Sequence, residues 1–166
     1  GSGGMARTFL EAYCAVRPIK KVKVFSRNPT NRKRYAAEMT QALGIEVTPV
    51  DSAREAVRGV DILSTCTDSI TPTIEPDWLE PGMHVVNLGP REISADTAAR
   101  FDVKVQQGNE VLDIPESTMY RKGVGGSHGA FVMGTEVQQQ RIPRATKNLK
   151  LGDWPVYTDI ISGKAP

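Results

Sequence analysis

Cysteine, long apolar runs and charge of one sign are all scarce in this 166-residue chain. Its two cysteines, Cys14 and Cys66, fit neither a metal-ligand spacing nor a disulfide framework, so a reducing cytoplasm is the expected compartment. No stretch of about 18 consecutive apolar residues occurs, so we expect no membrane partner. The formal net charge of +2 comes without a basic stripe carrying interleaved aromatics, so we expect no nucleic-acid partner either.

The first six residues, Gly1-Ser2-Gly3-Gly4-Met5-Ala6, form the pattern G-x-G-x-x-A of a dinucleotide-binding βαβ unit. Gly1 permits a tight turn from strand to helix, Gly3 lets the backbone approach a pyrophosphate, and Ala6 lets the helix pack on the sheet. All six would hold the pyrophosphate at the start of the helix. A buried strand normally precedes this turn, so we expect a piece of a longer protein. The alternative is a cloning remnant ahead of a start codon.

Strands alternate with helices through the first two thirds of the chain. We predict helices over 5–17, 30–44, 52–59 and 94–100, and strands over 22–25, 45–50, 60–65, 83–88 and 103–106. Thr30 or Asn31 is the expected N-cap of the second helix. The alternation indicates an α/β fold with a doubly wound, mostly parallel Rossmann-type sheet and helices on both faces. Residues 1–106 form the predicted core. Residues 107–166 form a loop-rich extension packing on the same domain, with a short helix before Gly163.

The segment after the first predicted strand decides which nicotinamide cofactor is favoured. Domains that bind NAD place an Asp or Glu about 20 residues beyond the glycines, where it accepts from the ribose 2′-hydroxyl. No acidic residue lies between Phe25 and Ala37, whereas Ser26, Arg27 and Arg32 offer a hydroxyl and two guanidinium groups suited to a 2′-phosphate. We therefore favour NADP(H) over NAD(H). The alternative is that both arginines are ordinary surface residues.

Small polar side chains follow the strand predicted at 60–65. Ligands of open α/β sheets bind outside the carboxyl ends of the strands. We therefore expect Thr65, Cys66 and Thr67, together with Leu88 at the end of a neighbouring strand, to line the nicotinamide side. No histidine lies in a suitable sequence context to activate Cys66, so we interpret this cysteine as a small apolar filler.

The two histidines differ in sequence context. His84 falls inside a predicted strand and is expected to be a packed or hydrogen-bonded residue. His128 lies in the glycine-rich stretch 123–129 and is the better candidate for reactive chemistry.

Six segments occur in order over residues 1–106: GSGGMART at 1–8, VFSR at 24–27, AVRGVDI at 56–62, STCTDS at 64–69, WLEPGMH at 78–84 and VNLG at 86–89. Together they resemble the ornithine cyclodeaminase/mu-crystallin family. Residues 157–166 resemble it again, whereas the match over 107–150 is poor. This series is more specific than the glycine pattern alone.

The resemblance implies a Rossmann domain paired with a second domain that binds substrate and dimerises. It implies hydride transfer between a nicotinamide cofactor and an amino acid or imine, catalysed by a homo-oligomer or with a partner chain. The family's substrate-binding Lys and Arg residues have no counterpart here. The family often places an Asp two or three residues after its Asn-x-x-Gly-type turn, and Glu92 is the candidate for that catalytic role in this chain.

Two other functions remain open at this point. The chain could be a cofactor-binding or interaction module without turnover, since mu-crystallin itself resembles it. It could also be an incomplete fragment that another chain completes.

Overall fold

The computed structural model describes residues 1–69, 71–89, 91–107 and 154–165. The chain divides into two compact units, Gly1–Arg100 and Phe101–Pro166. The packing of residues 107–166 on the first domain stays a prediction. Among the described residues, no helix has the length and apolar character needed to cross a bilayer.

The first helix, α1, spans Gly4–Val16 and confirms the helix predicted over 5–17. Ala6 and Leu10 are buried on one face, as the apolar spacing indicates. Its N-cap is Gly3, which has no side chain to accept from the first-turn amides. The start of α1 therefore leaves its backbone N–H groups without a capping side chain.

A parallel strand–helix–strand unit follows α1. Strand β1 spans Lys21–Val24, α2 spans Pro29–Leu43 and β2 spans Glu46–Pro49, with Val22 opposite Val47. The predicted N-cap of α2 is wrong. The cap is Asn28, whose side chain accepts from the backbone amides of Thr30 and Asn31, because Pro29 occupies the first helical position.

The hydrophobic core of this unit joins α1, β1, α2 and β2. Gly44 ends α2 in the left-handed region at φ +67°, which directs the chain back along the sheet. The buried cluster comprises Ala6, Leu10, Val24, Tyr35, Ala36, Met39 and Val47.

A second parallel pair consists of β3, Ile62–Thr65, and β4, His84–Asn87. Helix α3, Ala53–Val57, precedes it, a 3₁₀ turn at Pro76–Trp78 lies in the connection, and α4, Ala95–Ala99, follows it. Ser52 and Ser94 cap α3 and α4, each by accepting from the amide three residues on. Parallel strands alternating with helices confirm the predicted α/β class.

The second unit contains one described helix, α5, at Tyr157–Ile161. The strand predicted over 103–106 is wrong: within the described residues, Gln106 forms only an isolated parallel bridge with Val156. The glycine-rich stretch 123–129, including His128, lies outside the described residues.

Candidate functional site

The glycine turn lies between the carboxyl ends of β1 and β3. The amino group of Gly1 donates to the Phe25 carbonyl over 2.7 Å, just beyond β1. A Cβ added to Gly1 would lie 2.0 Å from the Cys66 carbonyl oxygen, just beyond β3. Glycine is thus required at position 1 by this close approach of backbone to backbone.

Gly3 and Gly4 face open space. Both are exposed, and a Cβ on either would meet no atom within 4 Å. Gly3 has φ −81°, which any residue adopts, so the fold itself does not require glycine there. The first turn of α1 also contains no acidic residue. Uncapped amides beside an open cradle fit an approaching diphosphate.

Arg7 supports the glycine turn from within α1, a role that sequence reasoning missed. Its Nη1 donates to the carbonyls of Ser2 and Gly3 over 2.9 and 3.0 Å. Its guanidinium pairs with Glu38 and lies 5.2 Å from the centre of the Tyr35 ring. The hydrogen bond from Arg7 lowers the pKa of the Glu38 carboxyl. Arg7 therefore fixes the backbone of the glycine turn by binding two of its carbonyl groups.

The two arginines predicted to contact a 2′-phosphate have different environments. Arg27 is exposed, and its guanidinium makes no ion pair or hydrogen bond within the described part of the chain. Arg32 is buried, pairs with Asp51, donates to the Ser26 carbonyl over 3.1 Å and lies above the Phe25 ring. Among the described residues, only Arg32 of these two arginines has partners for its guanidinium.

Ser26 and Asp51 link the end of β1 to the glycine turn and to the end of β2, respectively. Ser2 Oγ donates to Ser26 Oγ over 3.0 Å, which links the glycine turn to the end of β1. Asp51 was missed as a partner of Arg32. A signal existed, since Asp51 follows β2, and parallel neighbours such as β1 and β2 end at the same sheet edge.

The ends of β3 and β4 converge on Glu92. Its side chain is fully buried. Oε1 accepts from the Thr67 amide over 2.6 Å, and Oε2 accepts from the Gly89 amide over 2.6 Å. Thr65 Oγ1 lies 3.0 Å from both Glu92 Oε2 and Asn87 Oδ1, and its single proton is available to one of them at a time. Three predicted site residues therefore lie together here.

Cys66 and Leu88 contribute apolar surface. Cys66 packs against the hydrophobic core, with its Sγ 3.4 Å from Ser64 Oγ. Burial raises the pKa of the Cys66 thiol, which keeps it protonated at neutral pH and fits the interpretation as a filler. Leu88 is half-buried directly after β4. His84 is exposed at the start of β4, opposite to the packed position expected for it.

This chain is similar to a known protein family and to a solved reductase structure. The sequence model of the ornithine cyclodeaminase/mu-crystallin family matches residues 1–108. A Δ1-pyrroline-2-carboxylate reductase from Thermococcus litoralis, solved in complex with NADH and L-proline, is 39% identical and superposes with a TM-score of 0.60. The similarity covers 63% of this chain and 33% of that one.

Two sequence relatives agree with that similarity. A candidate dehydrogenase of Rhizobium meliloti is 28% identical over 92% of this chain and 46% of its own length. A Δ1-pyrroline-2-carboxylate reductase of Bacillus cereus is 33% identical over 54% of this chain and 27% of its own length. The chain thus spans less than half the length of either relative.

Proposed function

Because this chain belongs to the ornithine cyclodeaminase/mu-crystallin family, we propose that it is the NADP(H)-binding part of an oxidoreductase that interconverts an amino acid and an imine. The observation that carries the proposal is the open, uncapped glycine turn lying between the carboxyl ends of two parallel strand pairs. Ligands bind at that edge in open α/β sheets.

In this proposal the two halves of the cofactor lie on opposite sides of the glycine turn. Residues 1–6 hold the pyrophosphate on the first-turn amides of α1, with Arg7 keeping the turn in shape. Thr65, Cys66, Thr67 and Leu88 line the nicotinamide side. A cofactor held by these residues would supply the hydride that, with a proton from solvent, reduces an imine to an amino acid.

The preference for NADP(H) rests on Ser26 and Arg27. The exposed guanidinium of Arg27 is available for a bidentate phosphate contact, and the Ser26 hydroxyl lies beside it in sequence. Arg32 supports them by holding the Ser26 carbonyl while paired with Asp51. The Thermococcus relative was solved with NADH, so cofactor preference is the point that needs a direct test.

Arg27→Ala provides that test. We expect it to weaken NADPH binding by about tenfold or more while leaving NADH nearly unchanged, since a hydrogen bond to a charged group contributes roughly 1.5–3 kcal/mol. Lys33→Ala is the matched control, because it removes an exposed positive charge from the neighbouring helix. Equal losses for NADPH and NADH, or equal losses in both variants, would refute the phosphate assignment.

A second candidate, cofactor binding without turnover, is favoured by one observation. Glu92, the residue proposed as catalytic, is fully buried and both of its carboxylate oxygens accept backbone amides. Steady-state assays with a cyclic imine and NADPH discriminate between the two when they are made on a protein that also contains the substrate-binding domain implied by the family. Affinity for NADPH without turnover supports the binding module.

We also propose that a second copy or a partner chain joins this one. Within the described residues, β1 and β3 each pair with a single strand. Unpaired strand edges favour association. Light scattering after size exclusion should show an assembly, whereas a well-folded monomer would contradict this part of the proposal.

A further inference from the structure

Glu92 has the most constrained side chain in the described part of the site. Its carboxylate is inaccessible to solvent and accepts two backbone amides at 2.6 Å, from Thr67 and Gly89. Those amides belong to residues that follow β3 and β4, so one side chain binds the ends of two neighbouring strands. The backbone of Glu92 adds a third segment, since its carbonyl accepts from the amide of Thr73 over 2.9 Å.

A carboxylate suits this position better than any other side chain. The two backbone donors point at two separate oxygens, and an anion accepts such bonds more strongly than a neutral group does. Glutamine would set an NH₂ group against one of the amides and leave that amide without an acceptor. Gly89 is matched to it, because a Cβ there would lie 2.8 Å from Glu92 Oε2.

The segments bound by Glu92 are those that the proposed function assigns to the nicotinamide half of the cofactor. Thr65 and Thr67 lie at the end of β3, and Leu88 lies immediately before Gly89. We propose that Glu92 is a positioning residue, which fixes these segments in the arrangement that receives the nicotinamide and its ribose. It acts through Thr65, Thr67 and Gly89 and not by touching the reacting atoms. This inference rests on the proposed function.

The test compares a whole cofactor with a fragment of it. In the proposed site NADPH would contact both sides of the glycine turn, whereas adenosine 2′,5′-bisphosphate has the adenosine half and no nicotinamide. The 166-residue chain, Glu92→Gln and the control Glu75→Gln are titrated with both ligands. Glu75 is an exposed glutamate in the β3–β4 connection.

We expect Glu92→Gln to weaken NADPH binding about tenfold or more, as loss of a buried charged acceptor does, and to leave the bisphosphate affinity within about twofold. Glu75→Gln should leave both affinities unchanged. Equal loss of both ligands in Glu92→Gln would reduce Glu92 to a general structural role, and unchanged NADPH affinity would remove its role altogether. If Glu92→Gln does not fold, Glu92→Asp, which keeps a carboxylate but draws it back from the amides of Thr67 and Gly89, should show the same selective loss in smaller degree.

Amide hydrogen exchange separates this inference from the proposed function. In Glu92→Gln, the amides of Thr67 and Gly89 should exchange faster than in Glu75→Gln, with no cofactor present. If the unsubstituted chain binds neither ligand, the proposed function fails. Unchanged exchange at these two amides contradicts the positioning role whether or not the chain binds cofactor.

Discussion

The end of β1 and the ends of β3 and β4 face the same glycine turn but are built in opposite ways. At the end of β1, Arg27 is exposed, and its guanidinium has no ion-pair partner among the described residues. At the ends of β3 and β4, the Glu92 carboxylate is buried and fully hydrogen-bonded. Replacing Arg27 should therefore cost the fold little. Replacing Glu92 should destabilise the fold, because the amides that it accepts from would lose their acceptor in a buried environment.

We infer from this difference that cofactor preference and cofactor placement depend on different residues. Substitution of the exposed Arg27 should change which cofactor binds, whereas substitutions at the ends of β3 and β4 should change stability and cofactor placement together.

Glu92→Ala should be the most damaging single substitution in the described site. It leaves the amides of Thr67 and Gly89 without an acceptor inside the fold, which costs on the order of 3 kcal/mol in the free energy of unfolding. Urea unfolding followed by circular dichroism measures the change, with Glu75→Ala as the control. A loss below about 1 kcal/mol would contradict the structural role assigned to this carboxylate.

Gly3→Ala and Gly89→Ala form a contrasting pair. A Cβ at Gly3 meets open space, so the fold should lose less than about 1 kcal/mol, while the methyl group obstructs the pyrophosphate and lowers NADPH affinity by about tenfold or more. A Cβ at Gly89 meets the Glu92 carboxylate, so this variant should lose about 1–3 kcal/mol of stability. Identical effects of the two substitutions on both quantities would remove the distinction.

Arg32→Ala and Arg27→Ala should differ in their effects on stability and on cofactor preference. Because Arg32 is buried against Asp51 and the Ser26 carbonyl, its removal should cost about 1–2 kcal/mol of stability and weaken NADPH and NADH alike. Arg27→Ala should instead preserve stability and weaken NADPH selectively. A selective loss of NADPH in Arg32→Ala would show that this guanidinium also reaches the phosphate.

Tyr35→Phe tests the support beneath the glycine turn and should have the smallest effect. The Tyr35 hydroxyl donates to the Ala6 carbonyl over 2.9 Å, and its loss should cost about 1 kcal/mol at pH 7. Burial raises the pKa of Tyr35 to about 12. The unfolded chain ionises near its ordinary pKa of about 10, so the stabilising effect is complete below pH 10 and is lost as pH rises to about 12.

Urea midpoints at pH 8 and pH 11 measure this dependence. The decline between the two should be shallower in Tyr35→Phe than in the unsubstituted chain. Tyr157→Phe, at an exposed tyrosine, should keep the full decline. Parallel declines in all three proteins would contradict the role given to the Tyr35 hydroxyl.

Local signals in the sequence predict much of the first unit. Apolar spacing locates α1, Gly44 ends α2, and Ser52 marks the start of α3, because each depends on residues within one or two turns. The N-cap of α2 was missed although Pro29 carried the signal. The strand predicted over 103–106 failed because strand pairing depends on residues far along the chain.

The site divides in the same way. The roles proposed for the glycine turn and Arg27 can be inferred from sequence, since they follow from residue type and spacing. The role proposed for Glu92 cannot be inferred in this way. Its two carboxylate oxygens accept from amides 25 and 3 residues earlier in the chain, and only folding brings both amides to one carboxylate. The pairing of Arg32 with Asp51 likewise requires β1 and β2 to lie side by side.

A calorimetric titration of the 166-residue chain with NADPH and, separately, with NADH shows whether the glycine turn and Arg27 form a cofactor site. We expect saturable binding of NADPH that is about tenfold or more tighter than that of NADH. Equal affinities would refute the assignment of Ser26 and Arg27 to a 2′-phosphate. Absence of binding by either cofactor would contradict the proposal that the open glycine turn of this chain is a dinucleotide site.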